Sequence, residues 1–253
     1  MTIPLQAGIV YGPVKSRRLG ASLGVNILPD ARKVCNFNCP YCQYGWTPAD
    51  ARGDSVPDES WPLPETIASE VEAALIRDGS VDRITLAGNG EPTLHPDFPE
   101  VVARLRIVRD RRARAARLAI LSNSSTLDDP AIASTLLRID ERYMKLDAGD
   151  QATLRALNGS LVPISRIIDG LARLNGVILQ SMFTRDQHRK IDNTTPASVE
   201  RWLDAVDRVH PSAVHIYTID RSPAWKPLLP VPREELDALA EQVRARGVSA
   251  LVF

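Results

Sequence analysis

The sequence predicts an α/β fold of six repeated βα units, and three observations carry that prediction. Short β-rich runs alternate with amphipathic segments, each pair taking about thirty to forty residues. Prolines open and glycines close several of the amphipathic segments. The unusual polar residues gather just after the β-rich runs, where the loops at the C-terminal strand ends of such folds carry function. In chain order, a first strand is read over residues 24–28, and residues 47–64, rich in Pro, Asp and Ser, read as a long loop after it. A helix over Pro64–Asp78, stopped by Gly79, leads to a strand over 83–88, and a helix over 98–114 leads to a strand over 117–123. A helix over 130–139 precedes a strand over 142–148, and one over 164–175 stops at Gly176 before a strand over 177–183. The last unit pairs a helix over Pro196–Val209 with a strand over 213–219, and a helix over 232–246, ended by Gly247, leaves residues 250–253 as a short final strand or tail. Residues 1–23 read as an N-terminal extension of a single domain over 1–253. Right-handed crossovers place such helices outside a parallel sheet, which leaves an open doubly wound sheet or a complete or partial barrel.

The chain has 253 residues, 44% of them hydrophobic, with 31 basic residues against 31 acidic ones. That balance speaks against charge-driven binding to bulk nucleic acid or to an anionic membrane surface. No apolar run approaches the roughly 18 to 20 residues of a membrane span, and the N-terminus lacks the pattern of a secretory signal, so a cytoplasmic protein without membrane contact is expected.

All three cysteines, Cys35, Cys39 and Cys42, fall in one short stretch with the spacing C-x3-C-x2-C. An odd number so closely packed reads as a ligand cluster rather than a disulfide framework. Three thiolates fall one short of the four ligands of a closed zinc site or of a fully protein-ligated [4Fe–4S] cluster. The open position predicts that a small molecule chelates the metal centre; a zinc site completed by one of the four histidines is the plainer alternative.

This spacing, with aromatic Tyr41 just before the third cysteine and placed after the first strand, resembles the radical S-adenosylmethionine (SAM) superfamily. Gly88-Asn89-Gly90-Glu91-Pro92 after the second strand is similar to the family's GGE element, with Asn89 where a second glycine usually lies. Residues 16–47 and 88–98 look most like radical SAM proteins related to the tRNA wyosine-synthesis enzymes and, more distantly, to glycyl-radical activating enzymes. The resemblance implies a partial (β/α)6 TIM-like barrel with the iron–sulfur loop after its first strand. It implies that Cys35, Cys39 and Cys42 hold a [4Fe–4S] cluster whose fourth iron binds SAM, and that an external one-electron donor such as flavodoxin or ferredoxin starts its cleavage. Methionine and a 5′-deoxyadenosyl radical result, and the radical abstracts hydrogen from substrate. Tyr41 would lie by the adenine, and Gly88, Asn89, Gly90 and Glu91 by the methionyl amino group.

Other candidates come from strand ends. Lys145 and Asp147 share one face of the fourth strand and read either as SAM or substrate contacts or as an internal salt bridge. Ser122 and Asn123 can bond the SAM ribose or carboxylate, or serve only the turn before Asp128. Of Gln180 and Ser181 only one can face inward. His215 and Tyr217 share a face and can supply a proton donor or a substrate hydrogen bond, whereas His95 reads as a helix-start residue and His188 and His210 as surface or turn residues. The arginines from Arg104 to Arg117 read as a snorkelling outer helix or as phosphate ligands, and Lys15, Arg17, Arg18, Arg32 and Lys33 as an anchor for an anionic substrate or as solubilising charge. The expected function is therefore a radical SAM enzyme acting on an unidentified substrate, RNA and protein being the classes suggested. The alternative is a zinc- or cluster-stabilised nucleic-acid-binding module without SAM turnover.

Overall fold

A computed structural model describes residues 2–16, 18–49, 61–186, 188 and 190–253. Arg17 and most of the expected 47–64 loop lie outside the described residues. Among the described residues, seven parallel strands form one sheet in strict chain order: β2 (Gly20–Val25), β3 (Arg83–Leu86), β4 (Arg117–Ser122), β5 (Glu141–Lys145), β6 (Val177–Met182), β8 (Ala213–Tyr217) and β10 (Ala250–Val252). Because each crossover steps in the same direction, right-handed connections put every helix on one face, which is the arrangement of a barrel and not of a doubly wound sheet. β1 (Val10–Ser16) adds an antiparallel strand beside β2, and the described sheet stays open between β1 and β10.

The helices α1 (Pro64–Asp78), α2 (Phe98–Arg112), α3 (Pro130–Leu136), α5 (Ile164–Ala172), α6 (Pro196–Val209) and α7 (Arg233–Arg244) match the expected amphipathic segments to within a turn or so. Their apolar stripes, among them Ile67 and Val71, Val101 and Leu105, and Trp202 and Val206, bury against Leu23, Ile84, Leu118, Met144, Leu179 and Val214 on the convex side of the sheet. Each such buried side chain contributes about 1.5–3 kcal/mol. Trp202 also donates its indole N–H toward the Leu146 carbonyl and the Ser181 hydroxyl, both at 3.1 Å. That fixes Ser181 on the helix side, so alternation turns Gln180 inward. The concave side carries a smaller apolar cluster of Leu19, Ala119 and Tyr143, flanked by Leu121 and Ile178.

Three features depart from the sequence reading. The first parallel strand starts at Gly20 and is half of a β1–β2 hairpin, where an extension over 1–23 was expected. The Gly12-Pro13 pair inside β1 breaks its alternation, which conceals the strand. Helix α4 (Gln151–Asn158) fills the β5–α5 connection, and β7 (Thr184–Asp186) pairs with β9 (Leu228–Pro230). Eight and three residues are too short to show a period.

Candidate active site at the mouth of the barrel

The cysteine loop follows β2, at the C-terminal end of the parallel strands. Cys35 and Cys39 are buried and Cys42 is half-buried. Amide donors point at two of the sulfurs: Phe37 N–H lies 3.4 Å and Asn123 Nδ2 3.7 Å from Cys35 Sγ, and Asn158 Nδ2 lies 3.5 Å from Cys39 Sγ. As free thiols these groups resist ionisation, since burial pushes Cys35 up to about 12 and raises Cys39 as well. Loading of a metal centre on these thiols would therefore release protons, and the surrounding N–H groups would favour the resulting thiolates. The donor set fits a three-thiolate iron–sulfur cluster, in which each cysteine takes a different iron. Among the described residues no three His, Cys, Asp or Glu side chains converge on a single ion, and such a cluster does not require it.

Two further loops are bonded to this one. Gly90 forms a parallel bridge with Val34; Val34 N–H donates to the Asn89 carbonyl at 2.8 Å and Glu91 N–H to the Val34 carbonyl at 2.9 Å. A Cβ on Gly90 would sit 1.5 Å from the Val34 oxygen, so only glycine permits this pairing. The close approach that the glycines provide is thus to the cysteine loop itself. Asn89, which replaces the usual glycine, is fully buried with its side chain turned to Gln6 and Pro29, pinning the N-terminal segment. Glu91 is also buried: its carboxylate accepts from Thr93 N–H at 3.1 Å, the Thr93 hydroxyl at 2.7 Å and Asn123 N–H at 2.5 Å. Burial raises its pKa despite these bonds. Asn123 in turn donates to Asn36 Oδ1 at 2.8 Å, and the Ser122 hydroxyl accepts from Ser124 N–H at 3.1 Å. Ser122 and Asn123 thus build the turn and brace the cysteine loop, and Gly88 lies against Asn26.

A polar cluster lies beside Cys39. The Tyr41 hydroxyl hydrogen-bonds Asp147, Asn158 Nδ2 donates to Tyr41 at 2.7 Å and to Asp147 Oδ2 at 2.8 Å, and Met182 N–H donates to Asp147 Oδ1 at 2.9 Å. Lys145 Nζ stands 3.6 Å from Asp147 and donates to the Tyr217 hydroxyl at 2.9 Å. Burial opposes the charge on Lys145, but Asp147 and Tyr217 outweigh it and hold the ammonium protonated. Burial and the Asp147 charge likewise keep Tyr41 neutral. The internal pair and the candidate site are the same feature: Lys145 and Asp147 form an ion pair at 3.6 Å, and Asp147 is hydrogen-bonded to Tyr41 of the cysteine loop.

His215 lies apart from this cluster, on the concave face, with its ring centroid 5.6 Å from that of Tyr143 and 4.9 Å from that of Phe253. His95 bonds the Pro62 carbonyl and accepts from Asp97 N–H, as a helix-start residue should. Four arginines of α2 are paired with carboxylates: Arg104 with Glu100, Arg109 with Asp140, and Arg111 and Arg112 with Glu72. Sequence reasoning missed Asn158 and Asn36, and Lys33, read as a substrate anchor or as solubilising charge, is instead buried and donates to the Gly45 carbonyl inside the cysteine loop at 2.8 Å. Asn158-Gly159 reads as an ordinary helix end, and nothing local signals its contact with Cys39, 119 residues away.

Comparison with known proteins identifies the family. Residues 33–182 match the model of the radical SAM superfamily, which is more than half of the chain. A UPF0026 protein of Helicobacter pylori (strain J99) is 30% identical over 220 residues, covering 86% of this chain and 68% of its own length. Another curated relative is matched over 30% of its length, so this chain spans only part of some relatives. A radical SAM methyltransferase from Sphaerobacter thermophilus superposes with a TM-score of 0.66 at 18% identity, over 92% of this chain and 65% of that one. A structure of TYW1 with a lysine-pyruvate adduct bound gives 0.63 at 16% identity, over 88% and 73%. At such identities the structures establish the fold alone. Among the described residues no helix is long and apolar enough to cross a membrane. The chain is related to the UPF0026 proteins and belongs to the radical SAM superfamily, enzymes that use a [4Fe–4S] cluster and SAM for radical chemistry.

Proposed function

We propose that Cys35, Cys39 and Cys42 hold the [4Fe–4S] cluster of this enzyme and that SAM binds over them at the barrel mouth. The observation that carries the reading is the joining of the three-cysteine loop to the Gly88–Glu91 loop, the Ser122–Asn123 turn and the Lys145–Asp147 cluster in one bonded network. When bound, the cluster and SAM supply reductive cleavage of the S–C5′ bond and a 5′-deoxyadenosyl radical. The chain's residues orient and shield. Asn123 and Asn158 donate to the cysteine sulfurs, Glu91 fixes the second loop to the third, and Tyr41 presents an aromatic ring whose hydroxyl is fixed by Asp147 and Asn158. Lys145, neutralised by Asp147, offers Tyr217 a hydrogen bond and keeps that phenol facing the interior. A small flavodoxin- or ferredoxin-type protein delivers the electron from outside the mouth.

The test is anaerobic reconstitution with iron and sulfide, followed by incubation with SAM and dithionite and quantification of 5′-deoxyadenosine. Product that disappears in the triple Cys→Ala variant supports the assignment. Zinc in place of iron, or a four-iron cluster retained by that variant, overturns it.

A further inference from the structure

We infer that the floor of the barrel binds an oxyanion of the substrate, a carboxylate or phosphate held by Arg18 together with Gln180 and His215. The identity of this ligand as substrate rests on the radical SAM reading above; the site itself does not. Arg18 and Leu19 precede β2 and so lie at the end of the parallel strands opposite the cysteine loop. There Leu19 packs on Ala119 and Tyr143, and the Arg18 guanidinium lies over the Tyr217 ring, 4.7 Å from its centroid.

Charge balance singles out Arg18. Inside the barrel Arg83 is paired with Glu141 at 2.6 Å, and Lys145 with Asp147. Among the described residues no carboxylate lies within ion-pair distance of Arg18, and its Nη1 is buried without a hydrogen-bond partner. Two neighbouring polar groups share that condition: Gln180 Nε2 and His215 Nδ1 are buried and unpartnered, in residues each only 6% exposed. Gln180 and His215 are register partners on adjacent strands, so their side chains project from the same concave face. Buried polar groups are ordinarily bonded, and the Arg18 side chain, half-buried overall, leaves its buried Nη1 as one of the exceptions. Burial and the Arg18 charge hold His215 down to about 4, so its ring is neutral and can donate from Nδ1. Three donors around one net positive charge call for an anion with several lone pairs, and a guanidinium matches the planar fork of a carboxylate or the oxygens of a phosphate.

The placement also gives direction. Tyr217 touches Arg18 on one side and Lys145 on the other, and Lys145 leads through Asp147 and Tyr41 to the cysteine loop. A substrate anchored by its anionic end at the floor extends its other end toward the mouth. Binding energy from the non-reacting end then positions the bond to be broken.

The test is calorimetric titration of sodium phosphate and of sodium acetate, with sodium chloride as control, into the reconstituted protein saturated with SAM. Saturable binding of at least one oxyanion and not of chloride is expected. It should weaken at least about tenfold in Arg18→Gln, as loss of a charge-assisted bond requires, and return to within severalfold in Arg18→Lys. Tighter phosphate binding assigns a phosphoester substrate and tighter acetate binding a carboxylate. No saturable binding, or binding indifferent to Arg18→Gln, overturns the proposal. Gln180→Met provides an independent measurement: removing an unpartnered buried amide should leave the melting temperature of the anion-free protein unchanged or higher while weakening anion binding. A fall of about 2–4 °C or more would show that the amide already has a partner and would overturn the open site. Deoxyadenosine formation by the wild type, measured on the same preparation, tests the parent reading separately. Cleavage without Arg18-dependent binding rejects this site alone, and Arg18-dependent binding without cleavage rejects the radical reading alone.

Discussion

Replacing His215 with Phe should remove a defined part of the protein's acid sensitivity. The imidazole is 6% exposed and packed against Tyr143 and Phe253. Burial, and then the nearby Arg18 charge, hold its pKa down from 6.5 to about 4, with Glu141 pulling weakly the other way. The charged and titratable groups facing it are Arg18 on the β1–β2 turn and Glu141 and Tyr143 on β5. Glu141 is tied to Arg83 and Tyr143, and the Tyr143 phenol is pushed up to about 12, so it stays protonated throughout. In the unfolded chain the ring takes up a proton as pH falls through about 6.5; in the folded chain it stays neutral until about pH 4. Between those values the unfolded state binds more protons, so stability present above pH 6.5 is lost on acidification, and the loss is complete below the folded value. At about 1.4 kcal/mol per pH unit the whole window is worth about 3 kcal/mol, of which about 2 kcal/mol is lost by about pH 5. For a chain of this size that is roughly 4–8 °C in melting temperature. Phe keeps an aromatic ring in the same packing and has no proton to gain. Anaerobic thermal melts at about pH 7.5 and about pH 5 should show the wild type losing roughly 4–8 °C more than His215→Phe. Parallel pH dependence of the two proteins would refute the reasoning.

Three other substitutions test the mouth. Cys39→Ala should abolish both the visible iron–sulfur absorbance of the reconstituted protein and deoxyadenosine formation; a complete cluster in that variant would mean that other residues ligate it. Glu91→Gln turns an amide donor toward Asn123 N–H, which now donates to the carboxylate at 2.5 Å. The orphaned donor and lost charge-assisted bond should cost about 2–4 kcal/mol and lower SAM cleavage, and an unchanged melting temperature would show that Glu91 does not tie the second loop to the third. Asn158→Leu removes the amide that reaches Cys39, Tyr41 and Asp147. Loss of its bond to a buried carboxylate should destabilise by about 1.5–3 kcal/mol and reduce iron retained per chain, and full iron content with unchanged melting would count against a bracing role.

Much of the fold is legible because each βα unit carries its own local signals. Apolar periodicity marks α1, α2, α6 and α7 and the strands they cover, and Gly79 indeed caps α1. What local pattern cannot show is the direction in which successive units step across a sheet. Periodicity therefore left barrel and doubly wound sheet open, the family resemblance pointed to a partial barrel, and the unbroken strand order agrees with the barrel. The site divides in the same way. The cysteine spacing is a local signature, and alternation alone places Lys145 with Asp147 and His215 with Tyr217. Asn158 and Asn36 are invisible because their roles come from contacts across loops far apart in sequence. Asn89 shows the opposite error: a residue inside the motif whose side chain serves the N-terminal segment.

The two ends of the barrel interior differ in how completely their polar groups are matched, and this difference bears on where specificity resides. At the mouth, Glu91, Asp147 and Lys145 all have partners within the chain, and the charged groups there form a preassembled frame, although the Asn158 side-chain oxygen Oδ1 beside them is buried without a partner. Such a frame suits a cofactor chemistry shared by many enzymes, because preorganised groups do not have to rearrange during reaction. At the floor, Arg18, Gln180 and His215 carry donors that the chain leaves unmatched. A fold keeps unmatched buried donors at a cost to stability, and a ligand that satisfies them recovers that cost on binding. The residues that choose the substrate should then be sought at Arg18 and on the concave faces of β6 and β8, rather than in the loops after the strands, where the proposed cofactor site lies.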